Sequence, residues 1–247
     1  MKIVISGDSW GCGEWIRLDL RQGGEKDIIH GGLAQYLAED GHTVTNLSQG
    51  FGSNTAIHSS ISQHLESESI KGREKTDKII VFQTTYTRDY RFRHNEDWTK
   101  ITEANTLAHI WLSRFYHRLS EISKLYNVPV YVIGALSDTV WLDNMSEHYP
   151  GVSIPCQSLV NLIVNGNHRV DQPVFSWYTK TDLPFIDELK NTLPKDKLED
   201  FFNQIDQGIA RQNVLNMHPE YFFPDGVHPN RHGHEILYKF LKELQIV

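Results

Sequence analysis

The chain has 247 residues, of which 39% are hydrophobic, 22% charged and 11% aromatic. This composition is typical of a globular protein and excludes an intrinsically disordered chain. The length fits one α/β domain over residues 1–247. The formal net charge of −7 argues against nucleic acid as a partner, because surfaces that bind phosphates need clustered Lys and Arg.

The chain also has few features of a secreted or membrane protein. Its only cysteines are Cys12 and Cys156, and the apolar start at residues 1–5 is too short for a signal peptide. No stretch approaches the ~20 apolar residues of a membrane span. We therefore expect a soluble, cytoplasmic protein.

The first half of the chain alternates between strand and helix patterns. Strands are predicted where short β-branched runs end in turn residues, and helices where apolar residues recur every three or four positions. The predicted strands are residues 2–5, 42–47, 77–82 and 128–133, and the predicted helices are residues 32–39, 55–65 and 105–126. Such alternation indicates a mainly parallel sheet between two layers of helices, a three-layer α/β/α sandwich.

Residues 137–218 lack this alternation. Five prolines, at positions 150, 155, 173, 184 and 194, break the segment into short pieces, with amphipathic fragments at residues 187–193 and 198–209. Long irregular segments inside a compact domain are usually functional. We therefore interpret residues 137–218 as an insertion that forms a lid or a wall of a substrate site. A helix over residues 232–244 closes the pattern.

Residues near the two ends of this pattern have the chemistry of a nucleophilic triad. A serine hydroxyl is a weak nucleophile until a base removes its proton, and a carboxylate usually orients that base. Ser9 follows the first strand, and parallel sheets bind ligands at the carboxyl ends of their strands. Asp225 and His228 lie three positions apart just before the last helix, so that one loop can present both to a single pocket.

The motif GDS at residues 7–9, together with DGVHPN at residues 225–230 and GH at residues 233–234, resembles the GDSL or SGNH hydrolase family. The resemblance implies a flavodoxin-like sandwich that hydrolyses carboxylic esters without a metal or an organic cofactor. It implies Ser9 as nucleophile, Asp225 as the acid and His228 as the base. The expected partner is a small-molecule ester, either a small acyl ester or an acetylated carbohydrate.

The family stabilises the oxyanion of the reaction with the amide of the serine, the amide of a glycine and the side chain of an asparagine. Here the first donor would be Ser9, and the second Gly50 or Gly52, with Gly50 slightly preferred. The sequence departs from the family at the third donor, because residues 82–89 read FQTTYTRD where a GxND segment is expected. The alternatives for this donor are Asn54, Gln83, Thr84 and Thr85.

Residues beside these motifs are candidate substrate contacts: Asp8, Trp10, Tyr86 and Arg88. The aromatic residues among them fit core packing better than a substrate wall, and the arginine belongs to a cluster that suits a solvated face, carboxylate pairing or an anionic substrate. The chain has 13 histidines, but neither a cysteine pair nor an HExxH motif accompanies them, so no metal is predicted.

Simpler interpretations stay open beside the enzyme hypothesis. Ser9 would also suit a helix N-cap, and residues 224–226 (PDG) have ordinary turn chemistry. Two rival functions are a glycan-binding or acyl-binding protein that does not turn its ligand over, and a transferase in which an alcohol or sugar replaces water.

Overall fold

The structure is a computed structural model. It describes residues 1–15, 28–50, 52–85, 89, 104–139, 145–171, 173–174, 195, 199, 206, 209–211, 213–223 and 228–247.

Among the described residues, five parallel strands form the main sheet. They are β1 (Lys2–Ser6), β4 (Thr43–Asn46), β5 (Lys78–Gln83), β6 (Val130–Gly134) and β7 (Val152–Cys156), in the spatial order β4-β1-β5-β6-β7. This is the strand order of flavodoxin-like folds. A separate antiparallel ladder joins β2 (Glu14–Trp15) to β3 (Ile28–His30). The prediction of an α/β fold with a mainly parallel sheet is confirmed.

Helices cover both faces of this sheet. The described helices are α1 (Leu33–Glu39), α2 (Asn54–Ile70), α3 (Ala104–Tyr126), α4 (Met145–His148), α5 (Leu159–Asn165) and α6 (Arg231–Glu243). Side chains alternate across a strand, so that Val4 packs into one core while Ile3 and Ile5 pack into the other. The core around Val4 contains apolar residues of α2 and α3, and the opposite core contains those of α1, α5 and α6. The molecule is therefore a three-layer α/β/α sandwich.

The interpretation of residues 137–218 as one insertion needs correction, because part of this segment belongs to the sandwich. It contains β7, which pairs with β6, and α5, which packs in the core beneath α6. Pro155 lies within β7 and weakened its strand pattern. The proline is tolerated because β7 is an edge strand of the sheet that the described residues form. The fragment at residues 187–193 lies outside the described residues.

A buried ion pair joins the later part of this segment to the sheet. Arg211, which is 8% exposed, donates to the carboxylate of Asp138 and, over 2.9 Å, to Ser158 Oγ at the start of α5. Asp138 Oδ2 also accepts from the amide of Val174 at 2.8 Å. Through Asp138, which follows β6, these contacts hold residues 174 and 211 near the carboxyl end of that strand. Within the described part of the chain, no helix combines the length and the apolar character that crossing a membrane requires.

Candidate active site

Ser9 lies where β1 ends and the chain turns beneath the carboxyl edge of the sheet. A short 3₁₀ helix covers Ser9–Gly11, and Asp8 caps it by accepting a 2.9 Å hydrogen bond from the amide of Trp10. The cap is therefore Asp8, and Ser9 is left as the first helical residue. Gly7 precedes them because a Cβ at this position would lie 2.6 Å from Cβ of Phe82 on β5. The close contact between β1 and β5 thus fixes the turn that presents Ser9.

His228 approaches this turn from the far end of the chain. Its Nε2 lies 2.8 Å from Oγ of Ser9, although 219 positions separate the two residues. A short antiparallel contact holds the histidine loop, because the amide of Phe223 donates to the carbonyl of His228 at 2.8 Å. Asn230 then caps α6 by accepting from the amides of His232 and Gly233 at 2.9 and 3.2 Å. The predicted nucleophile and base therefore meet at hydrogen-bond distance.

An ion pair braces the serine loop against the histidine loop. Glu14, in β2, accepts through Oε2 from the backbone amide of Arg231 at 3.1 Å and from its Nε at 2.6 Å. The carbonyl of Arg231 accepts from the hydroxyl of Tyr36 at 3.2 Å. The hydrogen bond to Glu14 raises the pKa of the Arg231 guanidinium. Two elements, β2 through Glu14 and α1 through Tyr36, thus converge on the residue that starts α6.

The third predicted triad member, Asp225, lies outside the described residues, as do the candidate substrate contacts Tyr86 and Arg88. The other two candidate contacts, Asp8 and Trp10, are fully buried. Asp8 uses its carboxylate inside the protein, and Trp10 packs in the core beside α1 and α6. The prediction of substrate contact is therefore wrong for both, because neither side chain has exposed surface.

A buried polar cluster lies behind Ser9 and contains two of the candidate oxyanion donors. Asn54, the first residue of α2, accepts from the amide of Thr84 at 3.1 Å and donates to its carbonyl at 3.0 Å. The hydroxyl of Thr84 donates to Oδ2 of Asp8 at 2.7 Å. Both the amide and the hydroxyl of Thr84 are therefore occupied, and Thr84 is not the missing oxyanion donor.

Gln83 is not that donor either. Its Nε2 donates to Oγ of Ser137 and to the carbonyl of Asp138, both at 3.0 Å, and its Oε1 accepts from the hydroxyl of Tyr116. The side chain of Gln83 is fully buried, and both of its amide hydrogens are used in hydrogen bonds inside the protein. Thr85, two positions after Gln83, is 3% exposed, and its role as the donor stays a prediction.

The glycine loop after β4 is hydrogen-bonded to the serine loop. The amide of Gln49 donates to the carbonyl of Gly7 at 3.0 Å, and the amide of Gly52 donates to the carbonyl of Gln49 at 3.1 Å. A Cβ at Gly52 would lie 3.2 Å from the Gln49 carbonyl, a tight contact within the same loop, and at an ordinary 3.5 Å from the Gly7 carbonyl. Gly50 lies at the exposed turn between Gln49 and Gly52.

Two features near the site were missed from the sequence. His234, on the first turn of α6, is fully buried, and its two ring nitrogens have no hydrogen-bond partner among the described residues. Burial lowers the pKa of its imidazole to about 3, with a smaller contribution from His30. The other missed feature is the pair of Glu14 and Arg231, which no local pattern signals. The described residues contain no group of three or more His, Cys, Asp or Glu side chains arranged to hold a metal ion.

Comparison with known proteins gives structural similarity without close relatives. No family model matches the chain, and no characterised sequence matches it. Among solved structures, a lipase/acylhydrolase from Enterococcus faecalis is 14% identical at a TM-score of 0.37, and 99% of this chain and 95% of that chain are covered. A lipase from a goat rumen metagenome is 12% identical at 0.47, with 98% and 96% covered. An acetyl xylan esterase is 14% identical at 0.43, with 99% of each covered. Similarity at this level supports no inference about activity.

Proposed function

We propose that this protein is a serine hydrolase of carboxylic esters of the GDSL or SGNH type. The observation that carries the proposal is the 2.8 Å contact between Oγ of Ser9 and Nε2 of His228, since a nucleophile and its base must lie within about 2.6–3.2 Å. Ser9 is 5% exposed and lies at the carboxyl edge of the sheet, where open parallel sheets bind their ligands. The two free cysteines support a reducing, cytoplasmic compartment.

In the proposed mechanism, Nε2 of His228 removes the hydroxyl proton of Ser9 as Oγ attacks the carbonyl carbon of the ester. The imidazolium then gives this proton to the leaving alcohol, and an acyl group stays on Ser9. Water, deprotonated by the same imidazole, releases the acid and restores the hydroxyl. Asp225 would orient the imidazole and stabilise its charged form, as the family resemblance implies.

For the oxyanion, we assign the amides of Ser9 and Gly50 and the side chain of Asn54. Nδ2 of Asn54 carries two hydrogens, and the carbonyl of Thr84 accepts one of them. In this assignment the second hydrogen would be donated to the oxyanion. Gly52 is less suited than Gly50, because its amide donates to Gln49. The substrate class that fits these assignments is a small acyl ester or an acetylated carbohydrate.

Replacing the nucleophile tests the proposal directly. We expect Ser9→Ala to lower kcat for a short p-nitrophenyl ester by about 10⁴-fold or more, because the acyl-enzyme cannot form. Ser59→Ala is the matched control, since Ser59 is exposed on α2 and far from the reaction in this mechanism. Circular dichroism would confirm that both variants fold, and undiminished turnover by Ser9→Ala would refute the assignment.

A second candidate function is binding of a glycan or an acyl group without turnover. It is favoured by the third donor position, where Gln83 and Thr84 have no free hydrogen to offer. A fluorophosphonate probe separates the two functions, because it reacts only with an activated serine. Labelling at Ser9 supports the hydrolase, and absence of labelling across neutral pH supports the binding protein. Product analysis with added alcohols would detect acyl transfer.

A further inference from the structure

Two adjoining cavities lie along one face of α3. The smaller, of about 350 Å³, has Trp111 and Phe115 as an aromatic wall. The larger, of about 440 Å³, extends past His117 and Tyr149. Arg114 and Arg118 line both cavities. A volume of a few hundred Å³ with aromatic walls and a few polar groups is typical of a small-molecule site.

The two arginines are the unusual part of this lining. They are one helical turn apart, so that their like charges repel each other, and neither forms an ion pair within the described part of the chain. The guanidinium of Arg114 instead lies over the ring of Trp111, 5.2 Å from its centroid. Burial lowers the pKa of the neighbouring His58, and the positive charge of Arg118 lowers it further, whereas Glu121 opposes them.

Among the described residues, the acidic groups near the cavities do not form ion pairs with these two arginines. Asp89, 6% exposed, lines the smaller cavity, but its Oδ1 accepts from the amide of Thr55 at 2.8 Å and so completes the start of α2. Glu121 lines only the larger cavity. Among the described residues that line it, the smaller cavity therefore has two guanidinium groups and one carboxylate, a net charge of +1, beside an aromatic wall.

The smaller cavity is also linked to the nucleophile. Asn54 lines it and holds the backbone of Thr84. The hydroxyl of Thr84 in turn binds Asp8, the residue before Ser9. A chain of hydrogen bonds through Asn54, Thr84 and Asp8 therefore connects the lining of this cavity to the residue before Ser9.

We propose that the smaller cavity binds an anionic oxygen group of the ester substrate, a carboxylate, phosphate or sulfate, between Arg114 and Arg118. This inference rests on the proposed function and narrows its substrate class to negatively charged esters. Planar guanidinium groups bind such anions through paired hydrogen bonds. Trp111 and Phe115 would contact the apolar part of the same group.

A pair of matched esters tests this inference. A p-nitrophenyl monoester of glutaric acid carries a carboxylate, and p-nitrophenyl valerate has an acyl chain of equal length without one. We expect the wild type to prefer the charged ester and Arg118→Gln or Arg114→Gln to lower kcat/KM for it by about 10- to 100-fold, with kcat/KM for the valerate ester nearly unchanged. Arg73→Gln, which removes an exposed charge outside both cavities, should leave the preference intact. Equal losses for both esters, or no preference in the wild type, would overturn the inference.

A direct measurement of anion binding distinguishes a failure of this inference from a failure of the proposed function. If the wild type hydrolyses neither ester, calorimetry on the unmodified protein with glutarate, inorganic phosphate and sulfate decides the matter. Binding of one of these anions that is lost in Arg114→Gln and Arg118→Gln, but kept in Arg73→Gln and Ser9→Ala, supports an anion site. The anion that binds tightest identifies the group. No binding of any of them by the wild type would overturn the inference.

Discussion

At the scale of single residues, His234 shows how burial sets protonation near the site. The imidazole is fully buried, and a Cβ at Gly32 would lie 2.9 Å from its Cδ2, so the chain leaves no room for a hydration shell. Its two nitrogens have no hydrogen-bond partner among the described residues. A charged imidazole there would be strongly unfavourable, and the histidine stays neutral in the folded protein.

This residue should make the folded state sensitive to acid. Its pKa is about 3 when folded, against 6.5 as the ordinary value, so that only the unfolded chain binds the proton between these values. Stability is then lost as pH falls from 6.5 towards 3 and is unaffected by His234 above that window. We expect His234→Phe to reduce the pH dependence of the unfolding free energy by roughly 1.4 kcal/mol per pH unit.

Urea unfolding at pH 7.0, 6.0 and 5.0 measures this slope. His232→Phe is the control, because its side chain is 61% exposed two positions away, and it should keep the wild-type slope. If His234→Phe titrates like the wild type, His234 is not the acid-sensitive group.

At this scale the sequence predicted the site unevenly. Ser9 and His228, which the structure brings to 2.8 Å from each other, could be selected from the sequence because each belongs to a short motif beside a recognisable element. The failure at Gln83 and Thr84 has a different cause, since their hydrogen bonds go to Asn54, Asp8, Ser137 and Asp138. These partners come from other strands and loops, and no local pattern in residues 82–89 reveals them.

At the scale of elements, the ladder of β2 and β3 supplies the brace between the serine loop and α6. Gly13 has φ +95°, and a Cβ there would lie 2.4 Å from the carbonyl of His30. A glycine at this position therefore lets the chain pass close to β3, and the next residue, Glu14, binds Arg231. Asn230 caps the same helix. The start of α6 is thereby fixed relative to Ser9, and His228 lies only three residues before Arg231.

We expect Glu14→Ala to slow fluorophosphonate labelling of Ser9 by about 10-fold or more, because a base displaced by 1 Å is far less effective. Glu14→Gln should retain more of the rate, since its side-chain oxygen can still accept from the Arg231 amide. The control is Asp40→Ala, which breaks an ion pair with Lys242 at the other end of α6. A rate in Glu14→Ala equal to that of the control would argue against the brace.

Helices and strands were predicted well where the spacing of apolar residues and the length of the segment indicated the same element. The predicted helix over residues 105–126 corresponds to α3, Ala104–Tyr126, because its apolar side chains repeat over many turns. The strand β7 was missed, since five residues with a proline give too short a pattern. The ladder of β2 and β3 was missed for the same reason, because two or three residues have no period.

At the scale of the whole molecule, the sheet separates two apolar cores. Leu119 of α3 lies in one core and Leu237 of α6 in the other, and both are fully buried. The strands between the two cores contribute side chains to both of them. This arrangement predicts that the two faces unfold together as one domain over residues 1–247.

Leu119→Ala and Leu237→Ala should each cost about 2–5 kcal/mol of unfolding free energy. Because the sheet lies between the two sites, the double variant should lose their sum to within about 0.5 kcal/mol. Urea unfolding followed by fluorescence and by circular dichroism should give coincident single transitions in all three variants. Two separated transitions in one of them would contradict the single domain.

The meeting of Ser9 with a histidine 219 positions away has a consequence for the nascent protein. During synthesis Ser9 is added 219 positions before His228. A partly synthesised chain that stops between these two residues therefore has Ser9 without the histidine that our proposal assigns as its base. On that proposal, reactivity would begin only when the loop of His228 and α6 pack against the serine loop.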